Sequence, residues 1–328
     1  MKLFLTGSTG YIGNALLRAL IEQGHEINVL IRNTGNKHLV TLPGVKVFQG
    51  DILDKNVLHT AMKGCSRVYH LAGFTKQLSS GSDSFLSVNV TGTHNVLSVA
   101  AENNILRVVY TSSAGVLGNS LNTPLTESDP RINSFSNDSE LSKHLAEEVV
   151  RNFASDGLDA VIVNPSRVYG PGLLRQSNAI SRLLLQFVNG HFSWAPGCRN
   201  ITANYVYIDD IVNGHQLAMQ YGKSGERYIL GGENANYEVL YRIIEEITGK
   251  KVDYRIPVWL MQGAGYLQLL SYHLTGKEPE FTPGILNRLF RNAALSSDKA
   301  KRELGYQITP LKTGLERTIE SFKIQSYA

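Results

Sequence analysis

An α/β fold, a doubly wound parallel sheet with a smaller C-terminal lid, is predicted for this chain by three observations. Short β-type runs alternate with amphipathic helical stretches through the first half. A glycine-rich turn joins the first run to the first helix. The alternation fades after Asn164, where loops, aromatics and glycine take over. Strand, helix, strand in series implies parallel strands with helices on both faces, because each crossover must return over one face of the sheet. The 328 residues, 42% hydrophobic and 18% charged, supply a core for one large domain and a smaller coupled one and give no compositional case for disorder. The expected division is residues 1–165 for the dinucleotide-binding sheet and 166–328 for a substrate-binding region partly interleaved with it.

Taken in order, residues 2–5, 26–31, 45–48, 67–71, 107–111 and 159–163 read as strands. Residues 14–23 place Leu16, Leu17, Leu20 and Ile21 on one helical face and stop at Gly24, and residues 87–103 and 141–153 repeat that rhythm. In the second half, 164–172, 197–207 and 276–283 read as connections lining a cleft. The opening residues 1–5 are interrupted at Thr6 and Gly7, too soon for a signal-peptide core. The most apolar stretch, 256–270, is broken by Gln262, Gly263, Gly265 and Gln268, so no membrane span is expected. The basic excess is only four and scattered, which argues against a nucleic-acid partner. Cys65 and Cys198 stand far apart without neighbouring ligands, so neither a disulfide nor a metal is expected. A cytoplasmic address and a small-molecule partner fit best, with a homodimer left open.

Residues 6–13, Thr-Gly-Ser-Thr-Gly-Tyr-Ile-Gly, lie between the first strand and the first helix. Glycine there permits a tight turn and a close approach of backbone to a pyrophosphate, while the helix N-terminus supplies amide donors and positive potential. Gly7, Thr9, Gly10, Tyr11, Ile12 and Gly13 are therefore the expected phosphate cradle of a Rossmann-type domain. The second strand ends in Ile31 and Arg32, followed by Asn33 with no acid nearby. A carboxylate at that point grips a free ribose, whereas Arg holds a 2′-phosphate, so NADP is favoured and NAD is the alternative if Arg32 is merely solvated.

Further stretches carry a resemblance. Gly50-Asp51-Ile52, His70-Leu71-Ala72-Gly73, the run Asn89 to Thr93, Tyr110 to Ala114, Asn164 to Gly172, Tyr207 to Asp210 and Lys299 to Tyr306 match, in order and at matching spacing, the extended short-chain dehydrogenases/reductases. That broad NAD-dependent epimerase/dehydratase group includes dihydroflavonol-type reductases and 3β-hydroxysteroid-dehydrogenase-like proteins. The resemblance implies that Ser113 hydrogen-bonds the reacting oxygen and Lys143 holds the nicotinamide ribose. It also places Asp51 and Ile52 at adenine, Leu71, Ala72 and Gly73 along the middle of the cofactor, and Pro165 and Ser166 near the carboxamide.

One position departs from the family. Its catalytic Tyr stands four residues before the Lys, one helical turn away, and here that position is Ser139. Asn137 with Glu140 three residues later still reads as a helix start, so the frame is intact. An aliphatic hydroxyl is shorter and a far weaker acid than a phenol, so Ser139 works through water or another group supplies the proton. Tyr169, Glu140 and His144 are the nearby candidates, with Tyr169 first and His144 read as a surface residue.

The expected function is hydride transfer between NADP and a carbonyl or hydroxyl carbon, with an atypical proton donor. A nucleotide-sugar epimerase or dehydratase and a non-catalytic dinucleotide binder are the alternatives. The dense apolar run from Ile256 to Tyr272 favours a small apolar substrate, although its helical spacing equally suits lid packing. Arg199, Arg288 and Arg291 would have to converge to clamp a nucleotide sugar.

Overall fold

The computed structural model of the chain describes residues 1–32, 42–74, 82–174, 178–190, 194–275 and 283–326. In chain order the strands are β1 (Lys2–Thr6), β2 (Glu26–Ile31), β3 (Val45–Gln49), β4 (Arg67–His70), β5 (Arg107–Thr111), β6 (Ala160–Pro165), β7 (Arg167–Tyr169), β8 (Trp194–Pro196), β9 (Thr202–Tyr207), β10 (Arg227–Leu230), β11 (Glu233–Asn236) and β12 (Tyr254–Ile256).

Seven of them form one parallel sheet in the order β10-β6-β5-β4-β1-β2-β3. The chain runs outward from β1 to β3, returns to β4 and then builds the other way, so the order reverses between β1 and β4. Ligands of such sheets sit beyond the carboxyl ends of the strands at that reversal. Central strands are covered on both faces, which is why β1, β5 and β6 read as nearly continuous buried runs rather than alternating ones.

On one face, Leu16, Leu17 and Leu20 of the Tyr11–Glu22 helix pack with Ile211 and Met219 of the Ile208–Tyr221 helix against β1 and β2. On the other, Leu58, Val96, Leu97, Ala146 and Val150 of the Lys55–Met62, Gly92–Glu102 and Asp138–Ser155 helices close the second layer. Each fully buried leucine contributes about 1.5–3 kcal/mol over its exposed state. A third core, with Tyr169, Tyr205, Leu240, Ile244 and Leu315, belongs to the lid.

Three elements differ from the sequence expectation, the first being residues 164–172, read as a connection, which contain β7 (Arg167–Tyr169) paired with β9. The helix expected over 87–103 has a π-helical turn at Ser87–Thr91 before the regular Gly92–Glu102 helix. That turn carries Asn89, whose side chain bonds the backbone of Phe74. Residues 197–207, read as a connection, contain β9, the middle strand of a small β11-β9-β7 sheet. Of 276–283, residues 276–282 lie outside the described residues.

A strand from the second half of the chain joins the large sheet. After β7 and β9 the chain returns through the Ile208–Tyr221 helix to β10, which pairs with β6 at the edge of the large sheet. Among the described residues no helix is long and apolar enough to cross a membrane.

Candidate active site

The glycine turn is shaped by near-contacts that exclude side chains. Gly7 has φ +77°, and a Cβ there would stand 2.6 Å from the Leu71 carbonyl carbon and 2.7 Å from Ala72 N. A Cβ at Gly13 would fall 2.1 Å from Gly7 O. Gly10 caps the Tyr11–Glu22 helix without a side-chain hydrogen bond, and no acid occupies the first turn. The amides of that turn are therefore uncapped by side chains and bring positive potential to the crevice. Ser8 Oγ is buried without a hydrogen-bond partner among the described residues. An uncapped amide cluster beside an orphaned hydroxyl, with room that only glycine leaves, fits a pyrophosphate. Tyr11 is buried against Gly170 and Gly172, and Ile12 is half-buried.

At the other end of the crevice Arg32 is exposed at the end of β2. Asp51 Oδ1 accepts from Leu53 N at 3.0 Å, and Ile52 is buried against Gly92, where a Cβ would stand 2.4 Å from Ile52 Cδ1. The helix that follows is capped by Asp54, whose Oδ1 takes Asn56 N at 2.9 Å, so Asp51 is spared that duty.

Between these ends runs a buried relay. Ala72 N donates to Thr6 Oγ1 at 3.1 Å, and Thr6 Oγ1 lies 2.7 Å from His70 Nδ1. His70 Nε2 lies 3.0 Å from Thr93 Oγ1, which donates its own proton to Asn89 O at 2.6 Å. With the Thr93 proton committed, His70 must donate from Nε2 and accept at Nδ1 from Thr6. Burial, with repulsion from Lys143, pushes this neutral imidazole down to about 3. The relay fixes the β4 end that carries Leu71, Ala72 and Gly73.

Lys143 joins two strand ends. Its Nζ donates to Thr111 O at 2.8 Å and lies so near Gly73 that a Cβ there would stand 3.0 Å from it. Burial lowers its pKa to about 8, partly offset by Glu147 one turn further along the same helix. Fully buried Glu147 accepts from Asn164 Nδ2 at 2.7 Å and pairs with Arg151 at 2.9 Å. Asn164 Nδ2 also donates to Ser113 O at 3.1 Å. Ser113 Oγ accepts from Gly115 N at 3.2 Å, capping a short 3-10 turn. Asn89 Nδ2 donates to Ser142 Oγ at 2.9 Å, and Ser142 Oγ donates to Ser139 O at 3.2 Å, so half-buried Ser139 is held by its backbone. Pro165 ends β6; beside it, Ser166 N donates to Leu230 O at 3.2 Å while Ser166 Oγ is a second buried hydroxyl without a partner among the described residues.

A family model described as the NAD dependent epimerase/dehydratase family matches residues 3–231. The chain belongs to the NAD-dependent epimerase/dehydratase family. It is 30% identical to sterol demethylase protein B of Methylococcus capsulatus, over 98% of each chain. It is 27% identical to a 4-hydroxy-2-methyl-3-oxo-4-farnesyl-3,4-dihydroquinoline-1-oxide ketoreductase of Stigmatella aurantiaca, over 93% of this chain and 92% of that one. The fold is shared with UDP-glucuronic acid 4-epimerase of Bacillus cereus in complex with NAD, at TM-score 0.79 and 22% identity over all of both chains. Its relatives are reductases, dehydrogenases and epimerases, and the protein is accordingly an NAD(P)-dependent enzyme of oxidoreductase type.

For an enzyme of the epimerase/dehydratase family, the surroundings of the expected proton donors matter. Tyr169 is withdrawn from that role. It is fully buried in the lid core, its phenol donates to Leu311 O at 3.3 Å, and burial raises its pKa further above the ordinary range. The sequence placed its loop beside the cofactor but not the direction of its ring, which is set by the Leu311–Ser326 helix: a Cβ at Gly314 would stand 2.2 Å from Tyr169 Oη. Glu140 is committed elsewhere, paired with half-buried Arg131 at 2.9 Å and accepting from Ser136 N at 3.0 Å. His144 stands on the outer side with Glu148 at 3.5 Å and Phe135 beside its ring. Arg199 pairs with Glu238 at 3.6 Å, Arg291 is exposed, and the Arg288 side chain lies outside the described residues.

Sequence reasoning missed the roles of His70, Asn89, Thr93, His215, Glu147 and Arg131. Only His70, Asn89 and Thr93 carried a signal, since they lie in the stretches that match the family. Their partnership needs β4 beside the Gly92–Glu102 helix, which the sequence does not state.

Proposed function

We propose that this enzyme transfers hydride between NADP and a carbonyl or hydroxyl carbon of a small apolar substrate. The nicotinamide, when bound, supplies or accepts the hydride. The chain's own residues do the rest. The 7–13 turn receives the pyrophosphate, Arg32 the 2′-phosphate, and Asp51 with Ile52 the adenine. Leu71 to Gly73 line the middle, and Pro165 with Ser166 meet the carboxamide. The observation that carries this reading is Lys143, a buried ammonium brought to both Thr111 O and Gly73, where it can donate to a ribose hydroxyl and favour negative charge on a reacting oxygen. Ser113 Oγ orients that oxygen. With Tyr169 and Glu140 engaged elsewhere, the proton at the reacting oxygen exchanges through water beside Ser139.

Two facts support an apolar substrate. Two relatives are named for a sterol and for a farnesylated quinoline oxide. Arg199 is engaged with Glu238 rather than turned to a diphosphate. Calorimetric titration of the purified enzyme with UDP and dTDP should give weak binding, and NADPH should be consumed with apolar carbonyl compounds. Micromolar binding of either nucleotide, lost in Arg199→Ala or Arg288→Ala, would establish the nucleotide-sugar reading instead.

A further inference from the structure

The Val258–Thr275 helix is turned inside out. It contains no Asp, Glu, Lys or Arg. Trp259, Leu260, Tyr266, Leu267, Leu270 and Leu274 are exposed at 70%, 49%, 63%, 69%, 59% and 80%, six of the fifteen exposed large apolar side chains among the described residues. At 100° per residue these six fall within an arc of about 120°, so they form one continuous apolar face rather than scattered exposures. The two glutamines lie outside that arc and half-buried, Gln262 donating to Asn287 Oδ1 on the neighbouring Pro283–Leu289 helix at 3.1 Å. A helix solvated in the ordinary way has the opposite arrangement.

The chemistry of the face selects its occupant. Interfaces between protein copies carry a polar rim and hydrogen bonds that fix register, and this arc offers only the Trp259 indole N–H and the Tyr266 phenol. Those two are apolar bodies with one polar tip, suited to a headgroup boundary, and exposed Tyr254 precedes the helix with the same character. Exposed Lys250 and Lys251 stand before the helix, with Asp253 the one exposed acid between 250 and the helix. A charge-free apolar face with exposed lysines ahead of its first turn complements an anionic bilayer surface. We propose that the outward face of the Val258–Thr275 helix seats the lid on an anionic phospholipid surface, where an apolar substrate is concentrated. Only the delivery of substrate rests on the function proposed above; the docking does not.

The test floats the full-length protein with vesicles of equimolar phosphatidylcholine and phosphatidylglycerol, and with phosphatidylcholine alone, without substrate. The protein should float with the anionic vesicles and less with the neutral ones. Brominated lipid should quench a tryptophan emission that is missing in Trp259→Phe. Leu267→Glu combined with Leu270→Glu should lower partitioning on the order of tenfold or more, with NADPH affinity unchanged as the check on folding. No flotation, or flotation indifferent to the double variant, overturns the proposal. So does a dimer seen by light scattering that dissolves in the double variant while no vesicles are bound, because the face then joins two copies. Failure of the hydride-transfer reading would show separately, in the nucleotide titrations.

Discussion

Thr111 Oγ1 donates to His215 Nε2 at 2.9 Å, on the same residue whose carbonyl receives the Lys143 ammonium. His215 Nδ1 lies 2.7 Å from Ile211 O and must carry the proton, so Nε2 is an acceptor with Thr111 as its donor. Thr111→Val keeps the β-branched shape and leaves that nitrogen buried and unpaired. The expected cost is about 1–3 kcal/mol, read as a lower denaturation midpoint at unchanged slope. A variant as stable as the parent would refute the link.

Burial holds His70 down to about 3 and His215 down to about 4. A base with a depressed folded pKa stabilises the native state above its unfolded value near 6.5 and loses that contribution as pH falls toward the folded value, because only the unfolded chain takes the proton. Stability should therefore decline from about pH 6.5 downward. In His70→Gln the decline should be shallower by about one proton, measured as the pH slope of unfolding free energy. An unchanged slope would mean that His70 is not the neutral buried base its bonds require.

Nucleotide affinity should report on Lys143. Its ammonium is charged below about pH 8 and loses its proton above it. Dissociation constants for NADPH should rise as pH climbs through that point, by up to about tenfold per unit, and Lys143→Met should bind weakly with no such dependence. The same depression makes native stability rise with pH between about 8 and 10.5, where the unfolded chain keeps a proton that the folded one has shed and the cost of burying the ammonium is relieved. A parent affinity flat across pH 7–10 would remove Lys143 from the nucleotide site.

Cofactor preference should follow Arg32, exposed at the end of β2. NADPH is expected to bind more tightly than NADH, and Arg32→Asp to erase or reverse the order. Loss of a charge-assisted bond to phosphate corresponds to roughly 1.5–3 kcal/mol. Equal affinities in the parent, by fluorescence titration, would return the choice to NAD.

Much of the fold could be read from local pattern, because the elements concerned announce themselves locally. Leu16, Leu17 and Leu20 face one way because of helical spacing, and Gly7 and Gly13 are glycine because backbone occupies the place of a side chain. Tyr169 was different. Its loop could be aligned, but its phenol is steered by Leu311 and Gly314, more than 140 residues downstream. The same holds for Lys143, whose depressed pKa arises from three elements meeting around it, and for β10, a strand that belongs to the large sheet although it lies among lid segments in sequence.

Ser139→Tyr is the most informative single change. The helix start is intact, with Asn137 Oδ1 accepting from Glu140 N at 2.9 Å and Ser139 half-buried one turn before Lys143. If a water beside Ser139 carries the proton, filling its place should lower native turnover by tenfold or more, on the order of what general acid–base catalysis supplies, while NADPH affinity stays within a few-fold. Activity that is absent in the parent and appears only in Ser139→Tyr would mark the natural protein as a binder.

The late arrival of β10 has a consequence for synthesis on the ribosome. All six residues of β6, Ala160–Pro165, are buried, and their outer hydrogen-bonding edge is covered by residues 224–230. A nascent chain that has reached residue 165 therefore presents a largely apolar unpaired edge strand, the kind of surface that recruits other chains. The lid strands β7 and β9 must emerge before the edge is sealed. The two halves are thus one unit of biosynthesis, and a fragment cut at 165 should be recovered as aggregate rather than as a free dinucleotide-binding domain.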